Sequence, residues 1–431
     1  YRARGRLFDT LSLDRSLGDR NEGQAAYLEH RLFLRPRFVV SDAVSLNVDF
    51  LGLDNVLWGN KPGVYTSYID NPPQVFEQLL VAPNPEDPDS PNQNFTLWRA
   101  WGDFDTPVGR FKIGRMPLHW GTGMMLNDGV HTNPHYADYG DTADRLQWEM
   151  LIKDQFILQL AAELNAEGYV SDPDEKVDDR AAYSLVTAYR SEDVTGGILL
   201  RLDRAPLLNL TLFTANGSAD AQLGKLHAAI EVAGQFGSGD LPNGLNDASV
   251  MGIGSVLEAE LELDVWTIGV QAGLATGDGD DTDQRVRTFT FDRDYSVGLM
   301  MFEQPMPILA ATAASELNLG RSYDATLSNP GVSNALFLKP RIRRELIEGV
   351  HAELSWLGAR TAKMPDRYAA RRGYGMEFGA ALQYTAVEHV DVRLDAAAFM
   401  PGTFYSAFAD DTFEGFGDTA FGVQLSTRIH F

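Results

Sequence analysis

The sequence predicts an all-β fold, a single transmembrane antiparallel β-barrel of about 18 strands, an even number. Three observations predict it: a recurring alternation of apolar and polar residues, strand-like segments long enough to cross a membrane, and connections that alternate between short and long. The 431 residues include 40 glycines and 10% aromatic residues, which also favours β-structure. We expect residues 1–431 to form one barrel domain.

The alternation is clearest near the end of the chain. Phe421, Val423 and Leu425 are apolar and share one parity, whereas Gln424 and Ser426, which share the other parity, are polar. A period of two residues places these two sets on opposite faces of a strand. The same pattern recurs along the chain and predicts strands at 1–13, 26–40, 43–54, 94–105, 108–115, 146–153, 155–165, 181–191, 194–202, 207–215, 224–237, 249–263, 265–276, 334–346, 349–362, 374–386, 389–400 and 419–431.

The predicted connections alternate in length, as in outer-membrane barrels with short periplasmic turns and long extracellular loops. Short turns are expected near Asp42, Thr106, Asp154, Asp193, Asp264, Gly349 and His389. Long loops are expected at 14–25, 55–93, 116–145, 166–180, 277–333, 363–373 and 401–418. Two predicted connections depart from this pattern: 203–206 is short where a long loop is expected, and 216–223 is long where a short turn is expected.

A soluble β-sandwich would show the same alternation, with its apolar face inside. The predicted strands favour a membrane, because many have about 10–15 residues against about 5–6 in soluble sheets. Charges at successive polar-face positions, such as Glu258, Glu260 and Glu262, suit a water-filled lumen, although they would suit a solvated sheet equally. No run approaches the length of an apolar membrane helix, so we expect none.

The chain ends in the aromatic residue Phe431, and its last strand, VQLSTRIHF, resembles the C-terminal strand of Gram-negative outer-membrane proteins. That resemblance implies an outer-membrane location, contact with membrane lipids and lipopolysaccharide, and the barrel-assembly machinery as a partner. In size and strand number the chain is similar to porin-like barrels of the 18-stranded alginate-export type. The segments GRMPLHWGTGMMLNDG, DYGDTADR and FDRDYSVGLMMFEQ also resemble segments of uncharacterised outer-membrane barrels, which leaves the substrate open.

Composition excludes several functions. A net charge of -24 argues against a nucleic-acid partner, which requires a basic surface. The absence of cysteine excludes disulfides, thiol nucleophiles and cysteine metal sites. The chain has no G-x-S-x-G nucleophile motif, and we predict neither enzyme activity nor a cofactor.

Arginines with lumen parity are the main candidate site. Guanidinium groups bind carboxylates through two parallel hydrogen bonds, so an arginine-rich wall suits an anionic solute such as a sugar acid. The alternative is that these arginines pair with lumen carboxylates such as Glu29, Asp49 and Glu353, which gives a nearly neutral wall. The predicted pore-lining residues are Arg31, Arg35, Arg37, Arg99, Arg341, Arg343, Arg393 and Arg428.

Two long loops are candidates to narrow the pore. Residues 277–333 carry an apolar stretch, VGLMMFEQPMPILAATAA, which we expect to fold into the barrel or pack on its rim. Residues 116–145 form the second possible constriction, where Trp120, Tyr136 and Tyr139 are placed to stack on sugar rings.

Metal sites are not expected in either loop. His119, His131 and His135 have a spacing that fits no ligand motif. The only other candidate is a calcium site that lacks the spaced ligands and distal glutamate of an EF-hand. It consists of Asp278, Asp280, Asp281 and Asp283.

The sequence therefore predicts an outer-membrane channel that passes or exports a polar, anionic, carbohydrate-like solute. The alternative is a barrel plugged by its loops, with a structural or partner-binding role and no transport activity. Conductance in a planar bilayer distinguishes the two, because only an open lumen carries ions.

Overall fold

The computed structural model describes residues 1–9, 24–59, 95–131, 135–138, 140–164, 181–206, 209–240, 247–280, 283–303, 331–364, 370–404 and 418–431. They contain 20 strand segments, which form 18 wall strands. Arg37–Ser41 continues the second wall strand, and the two-residue segment Arg285–Val286 lies within a loop. No helix among these residues is long and apolar enough to cross a membrane. The wall strands are β1 Arg2–Asp9, β2 Gln24–Leu34 with Arg37–Ser41, β3 Val44–Gly59, β4 Phe95–Thr106, β5 Gly109–Pro117, β6 Thr142–Ile152, β7 Phe156–Leu164, β8 Ala181–Arg190, β9 Val194–Ala205, β10 Leu210–Leu223, β11 Leu226–Gly239, β12 Ala248–Leu263, β13 Trp266–Ala275, β14 Ala335–Ile347, β15 Val350–Thr361, β16 Gly373–Tyr384, β17 Val390–Pro401 and β18 Ala420–Ile429.

The sheet closes on itself. Each wall strand pairs antiparallel with its sequence neighbours, and β18 pairs with β1 in a register that runs from Arg2 opposite Arg428 to Asp9 opposite Phe421. The backbone nitrogen of Tyr1 donates to the carbonyl of Ile429 at 2.7 Å, which extends the pairing. Closure removes the free sheet edges, as a membrane-spanning sheet requires. The predicted all-β barrel of 18 strands is confirmed.

The interruption in β2 has a local cause. Pro36 lies between Leu34 and Arg37, and proline has no backbone N–H to donate to the ladder. The strand resumes at Arg37, and the Pro36 carbonyl still accepts the backbone N–H of Val48 at 3.1 Å. The two parts therefore occupy one position in the wall.

The wall is apolar outside and polar inside. In β18, Phe421 and Leu425 are 53% and 50% exposed, whereas Gln424 and Ser426, which have the opposite parity, are fully buried. A soluble sandwich would bury the apolar set, so that alternative is wrong. A closed barrel with an apolar exterior meets the requirements of lipid.

Connections at one end are all short, and the N- and C-terminal residues lie at that same end. The short connection expected after β9 is observed, since residues 206–209 join β9 to β10 at the end where the other connections are longer. The long turn expected at 216–223 was wrong. Residues 216–223 belong to β10, where Ser218 lies opposite Glu231, and the chain then turns at Gly224, whose φ is +63°. Small side chains replace large aliphatic ones in this stretch (NGSADAQL), so its alternation is weak in the sequence.

The described parts of two long connections enter the barrel. We call residues 118–131, 135–138 and 140–141 the first inner loop, and residues 276–280, 283–303 and 331–334 the second inner loop. The rest of the apolar stretch that was expected to fold inward, residues 304–314, lies outside the described residues. The strand Arg285–Val286 of the second loop pairs parallel with the start of β12. Their buried apolar side chains pack with wall residues in one cluster, which includes Phe8, Met124, Met125, Leu126, Phe289, Phe291, Tyr295, Met300, Met301, Phe337 and Phe399.

Candidate solute pathway in the barrel lumen

Arginines of the first strands hold the first inner loop. Arg4 is buried, donates to both carboxylate oxygens of Asp138 at 2.5 and 2.6 Å, and pairs with Glu29. Arg2 also donates to the Asp138 carboxylate at 2.6 Å, and Arg31 donates to its backbone carbonyl at 2.7 Å. These guanidinium groups bind the chain itself, as the paired-wall alternative proposes.

Glu231 of β11 anchors the other side of the first inner loop. Its Oε2 accepts the backbone N–H and the hydroxyl of Thr122, both at 2.8 Å, and the N–H of Met124 at 3.3 Å. Its Oε1 accepts the side-chain amide of Asn216 at 2.7 Å. The buried carboxylate is thus satisfied by four donors and positions the loop across the lumen.

Glu377 of β16 plays the same part for the second inner loop. Its carboxylate accepts the consecutive backbone N–H groups of Leu299, Met300 and Met301 at 2.6, 3.1 and 2.8 Å. Successive N–H groups that converge on one carboxylate fix the loop backbone, because charge-assisted hydrogen bonds are the strong ones.

The two inner loops also bind each other. The N–H of Asp292 donates to the carbonyl of Met124, and the N–H of Asp138 donates to the carboxylate of Asp294, both at 2.7 Å. The loops therefore form one internal structure attached to several wall strands.

A cavity of about 940 Å³ lies between this internal structure and the wall. The chain as a whole is acidic, but the cavity lining is not, because it contains eight basic and seven acidic side chains. The basic residues are Lys112, Arg145, Arg190, Arg201, Lys339, Arg341, Arg343 and Arg393. The acidic residues are Glu149, Glu163, Asp220, Glu258, Glu353, Glu377 and Asp395.

Three basic residues at alternate positions of β14 form a row along the cavity, which we call the β14 basic row: Lys339, Arg341 and Arg343. Lys339 donates to the carbonyl of Val297 at 2.5 Å, and Arg341 pairs with Glu260. Within the part of the chain that the structure describes, Arg343 forms no ion pair. Its charge is therefore not balanced by a described carboxylate, unlike that of Arg341.

Of the predicted pore-lining arginines, Arg341, Arg343 and Arg393 line this cavity. Arg393 lies between Glu353 at 3.3 Å and Asp395 at 2.9 Å. Its charge is therefore balanced within the wall, which distinguishes it from Arg343.

The other five predicted arginines are not part of the cavity lining. Arg31 binds the first inner loop, as described above, and Arg428 lies beside the N-terminal residue. Arg99 is fully buried and donates to Thr142 at 2.9 Å and to Asp49 at 3.4 Å. Arg35 approaches the same Asp49 at 3.6 Å, and Arg37 donates to a serine hydroxyl at 3.2 Å.

Two of the three predicted constriction aromatics, Trp120 and Tyr136, line the cavity, and Tyr139 lies outside the described residues. Burial, followed by the nearby Asp395 carboxylate, raises the pKa of Tyr136 well above its usual value. Tyr136 therefore stays a neutral phenol. Both side chains present partly apolar surfaces of the kind that sugar rings pack against.

The histidines of the first inner loop separate into two groups. His135 is buried and contacts Ser426 and Asp391 through its two ring nitrogens, each at 2.9 Å. His119 and His131 lie together, with ring centroids 4.9 Å apart. Asp128, which the sequence analysis did not single out, lies between them.

The electrostatics of this group follow from burial and from Asp128. Burial lowers the pKa of His119, whereas the hydrogen bond to Asp128 raises the pKa of His131. For Asp128, burial by itself would raise the pKa, but the hydrogen bond from His131 and the neighbouring histidine charges hold it well below the usual range. Asp128 therefore stays ionised.

The acidic segment 278–283, considered above as a calcium site, pairs with a nearby arginine. The Arg287 guanidinium group donates to Asp278 at 3.0 Å and to Asp283 at 2.7 Å. Asp280 directs its backbone N–H to Asp278 at 3.1 Å, and Asp281 lies outside the described residues. An arginine between the two carboxylates takes the place that a metal ion would need.

No family model and no curated protein matches the sequence. The structure is similar to OccAB3 of Acinetobacter baumannii, with 10% identity, a TM-score of 0.57 and coverage of 99% of this chain and 97% of that chain. It is similar to OccK9 (OpdG) of Pseudomonas aeruginosa, with 11% identity, a TM-score of 0.56 and coverage of 99% and 96%. It is also similar to OccK2 (OpdF) of Pseudomonas aeruginosa, with 13% identity, a TM-score of 0.52 and coverage of 99% of this chain and 96% of that chain.

The chain is an 18-stranded outer-membrane barrel. At identities of 10–13% the fold is what these proteins share with it. Its even strand number, closed sheet and lipid-facing apolar exterior belong to the outer membrane of a Gram-negative bacterium. The narrower resemblance to alginate-export barrels stays a hypothesis.

Proposed function

We propose that the barrel is a porin-type channel for a polar, anionic, carbohydrate-like solute. The observation that carries this proposal is the β14 basic row, in which Arg343 faces the cavity without an ion pair among the described residues. A guanidinium group binds a carboxylate through two parallel hydrogen bonds. The row therefore supports stepwise passage of a carboxylate along β14.

The dimensions of the cavity favour a small solute. Its volume of about 940 Å³ lies at the upper end of the range of about 300–1,000 Å³ typical of small-molecule sites. Trp120 and Tyr136, which line the same cavity, offer surfaces for a sugar ring. A monomeric or dimeric sugar acid fits this arrangement better than a long polysaccharide.

The direction of transport follows from the concentration gradient in a passive channel. Export, which the alginate-export resemblance implies, would occur if the solute is produced inside the cell and is therefore more concentrated there. Recognition of β18 by the barrel-assembly machinery is part of the same proposal, because it rests on the resemblance of the last strand to the C-terminal strand of Gram-negative outer-membrane proteins. No enzymatic step is part of it.

A second candidate function is supported by the apolar cluster of the inner loops. Met300, Met301 and Phe291 pack with wall residues inside the lumen, as they would in a barrel closed by its own loops. In that case the protein serves as a structural or partner-binding barrel.

Planar-bilayer recordings test the proposal. We expect single-channel conductance with a preference for anions, and we expect Arg343→Gln to lower the anion-to-cation permeability ratio several-fold. Arg37→Gln is the matched control, because Arg37 belongs to the wall but not to the cavity lining, and it should leave the ratio unchanged. A silent wild-type protein that conducts after deletion of 277–333 would favour the plugged barrel instead.

A further inference from the structure

We propose that the first inner loop contains a binding site for one divalent transition-metal ion such as Zn²⁺, formed by His119, Asp128 and His131. A ligand atom from each of the three residues lies within 4.8 Å of the other two. Two imidazole nitrogens and a carboxylate oxygen are donors that suit Zn²⁺, Ni²⁺ and Cu²⁺. The site is independent of whether the barrel conducts a solute.

The distances within the cluster approach those of a coordinated ion. Ligands at about 2.0–2.1 Å from a tetrahedral Zn²⁺ are about 3.3 Å from one another. The Asp128 carboxylate lies 2.7 Å from Nδ1 of His131 and 3.7 Å from Nδ1 of His119. Small side-chain rotations therefore bring all three donors to one ion, without movement of the wall.

Asp128 is fixed in the orientation that the site requires. Its side chain is 2% exposed, and its Oδ1 accepts the backbone N–H groups of Val130 and His131 at 3.0 and 3.1 Å. Its backbone carbonyl accepts a hydrogen bond from Arg99 at 3.1 Å. Oδ2 is directed at His131, so an ion would replace the proton of that hydrogen bond, and the proton would be released to water.

His119 supplies a second reason for an ion. Its Nδ1 is buried and has no hydrogen bond to any residue that the structure describes, although it faces Asp128. A buried polar atom without a partner is costly. A metal ion between His119 and Asp128 would give this nitrogen a partner.

The surrounding charges do not exclude a cation. The nearest guanidinium groups, those of Arg35 and Arg99, both pair with Asp49, at 3.6 and 3.4 Å. His119 and His131 line the cavity, so a bound ion would border the solute pathway and keep coordination positions for water or a carboxylate.

The lumen offers a matched control. His227 contacts Asp220 at 2.9 Å and also lines the cavity, but this pair is not part of a three-ligand cluster among the described residues. A histidine–aspartate pair alone should bind Zn²⁺ far more weakly than the three-ligand site.

The experiment uses the full-length barrel, purified in detergent and treated with a chelator. Calorimetric titration with ZnCl₂ should show one ion per chain, and Co²⁺ should give the visible absorption of a low-symmetry site with imidazole ligands. His119→Ala and His131→Ala should each weaken binding at least about tenfold, the order of effect seen when metal-site groups are removed. His227→Ala should bind like the wild type.

Two results would overturn the proposal: no Zn²⁺ binding by the wild-type barrel, or unchanged binding in the His119→Ala/His131→Ala double variant. Heat-modified migration on gels confirms that each variant is folded. If an alanine variant is not folded, His119→Gln and Asp128→Asn take its place, with the same expected loss. Because the readout is binding and not conductance, its failure is distinguishable from failure of the channel proposal.

Discussion

Lumen arginines of identical chemistry have opposite roles in this barrel. Arg4 is buried between Glu29 and Asp138, so its charge is used to attach a loop to the wall. Arg343 faces the cavity without an ion pair among the described residues, and we propose that its charge meets the solute. The difference lies in the partners, since both residues occupy lumen positions on strands.

Substitution of Arg4 should therefore affect stability more than permeation. Arg4→Ala leaves Glu29 and Asp138 as buried carboxylates with fewer partners, and removal of one member of a buried ion pair typically costs about 3–5 kcal/mol. Urea unfolding in lipid vesicles should show a loss of this order. Arg343→Ala is the comparison variant and should lose less than about 1 kcal/mol. Equal losses in the two variants would contradict the distinction between attaching and solute-facing arginines.

Parity predicted which arginines face the lumen, but it could not predict their partners. Arg2 and its acceptor Asp138 are separated by 136 positions in the chain. Their contact depends on where the first inner loop folds, and no local pattern encodes that. The same holds for Asp128, which becomes a candidate ligand only because the loop brings His119 and His131 beside it.

At the level of elements, the strands could be predicted and the inner loops could not. A strand in lipid must alternate, so β18 is visible in the sequence as Phe421, Val423 and Leu425 on one face. The signal fails in β10, where small residues around Ser218 replace aliphatic ones. The inner loops have no period, because their backbone is fixed by single carboxylates such as Glu231 and Glu377.

The second inner loop should be sensitive to pH through Glu303. Burial, opposed by a hydrogen bond from the Val297 N–H and by the charge of Arg6, raises the pKa of Glu303 from 4.5 to about 8. Asp294 also faces it and adds to the rise. The packed loop therefore prefers the protonated acid, so its stability is greatest below pH 4.5, falls as pH rises towards 8, and is constant above that value.

Hydrogen exchange of residues 297–303, corrected for intrinsic rates, measures this dependence. Protection should decrease between pH 4.5 and about 8 in the wild type. Glu303→Gln should keep its protection across the same range, because the amide stays neutral. A wild-type loop with pH-independent protection would show that Glu303 is not buried as an acid.

At the scale of the whole molecule, net charge and pore charge are separate quantities. The chain carries a net charge of -24, yet the cavity lining has eight basic and seven acidic side chains. Most of the lining charges are paired, so the field that a solute meets depends on the few that are not. Composition alone would have predicted a cation-selective pore, and the position of the arginines predicts the opposite.

Salt should weaken this selectivity if it arises from a few charges that face water. The Debye length falls from about 10 Å at 0.1 M salt to about 3 Å at 1 M, so charges across a wide lumen are screened at the higher concentration. We expect the anion preference of the wild-type channel to be clear in 0.1 M KCl and small in 1 M KCl, measured as the reversal potential across a fixed salt ratio. Lys339→Gln combined with Arg343→Gln should lower the preference at 0.1 M several-fold, since the two cavity-lining basic groups of β14 that form no ion pair with a described carboxylate are then neutral. A preference that persists unchanged at 1 M salt would instead indicate a constriction narrow enough to exclude the screening ions.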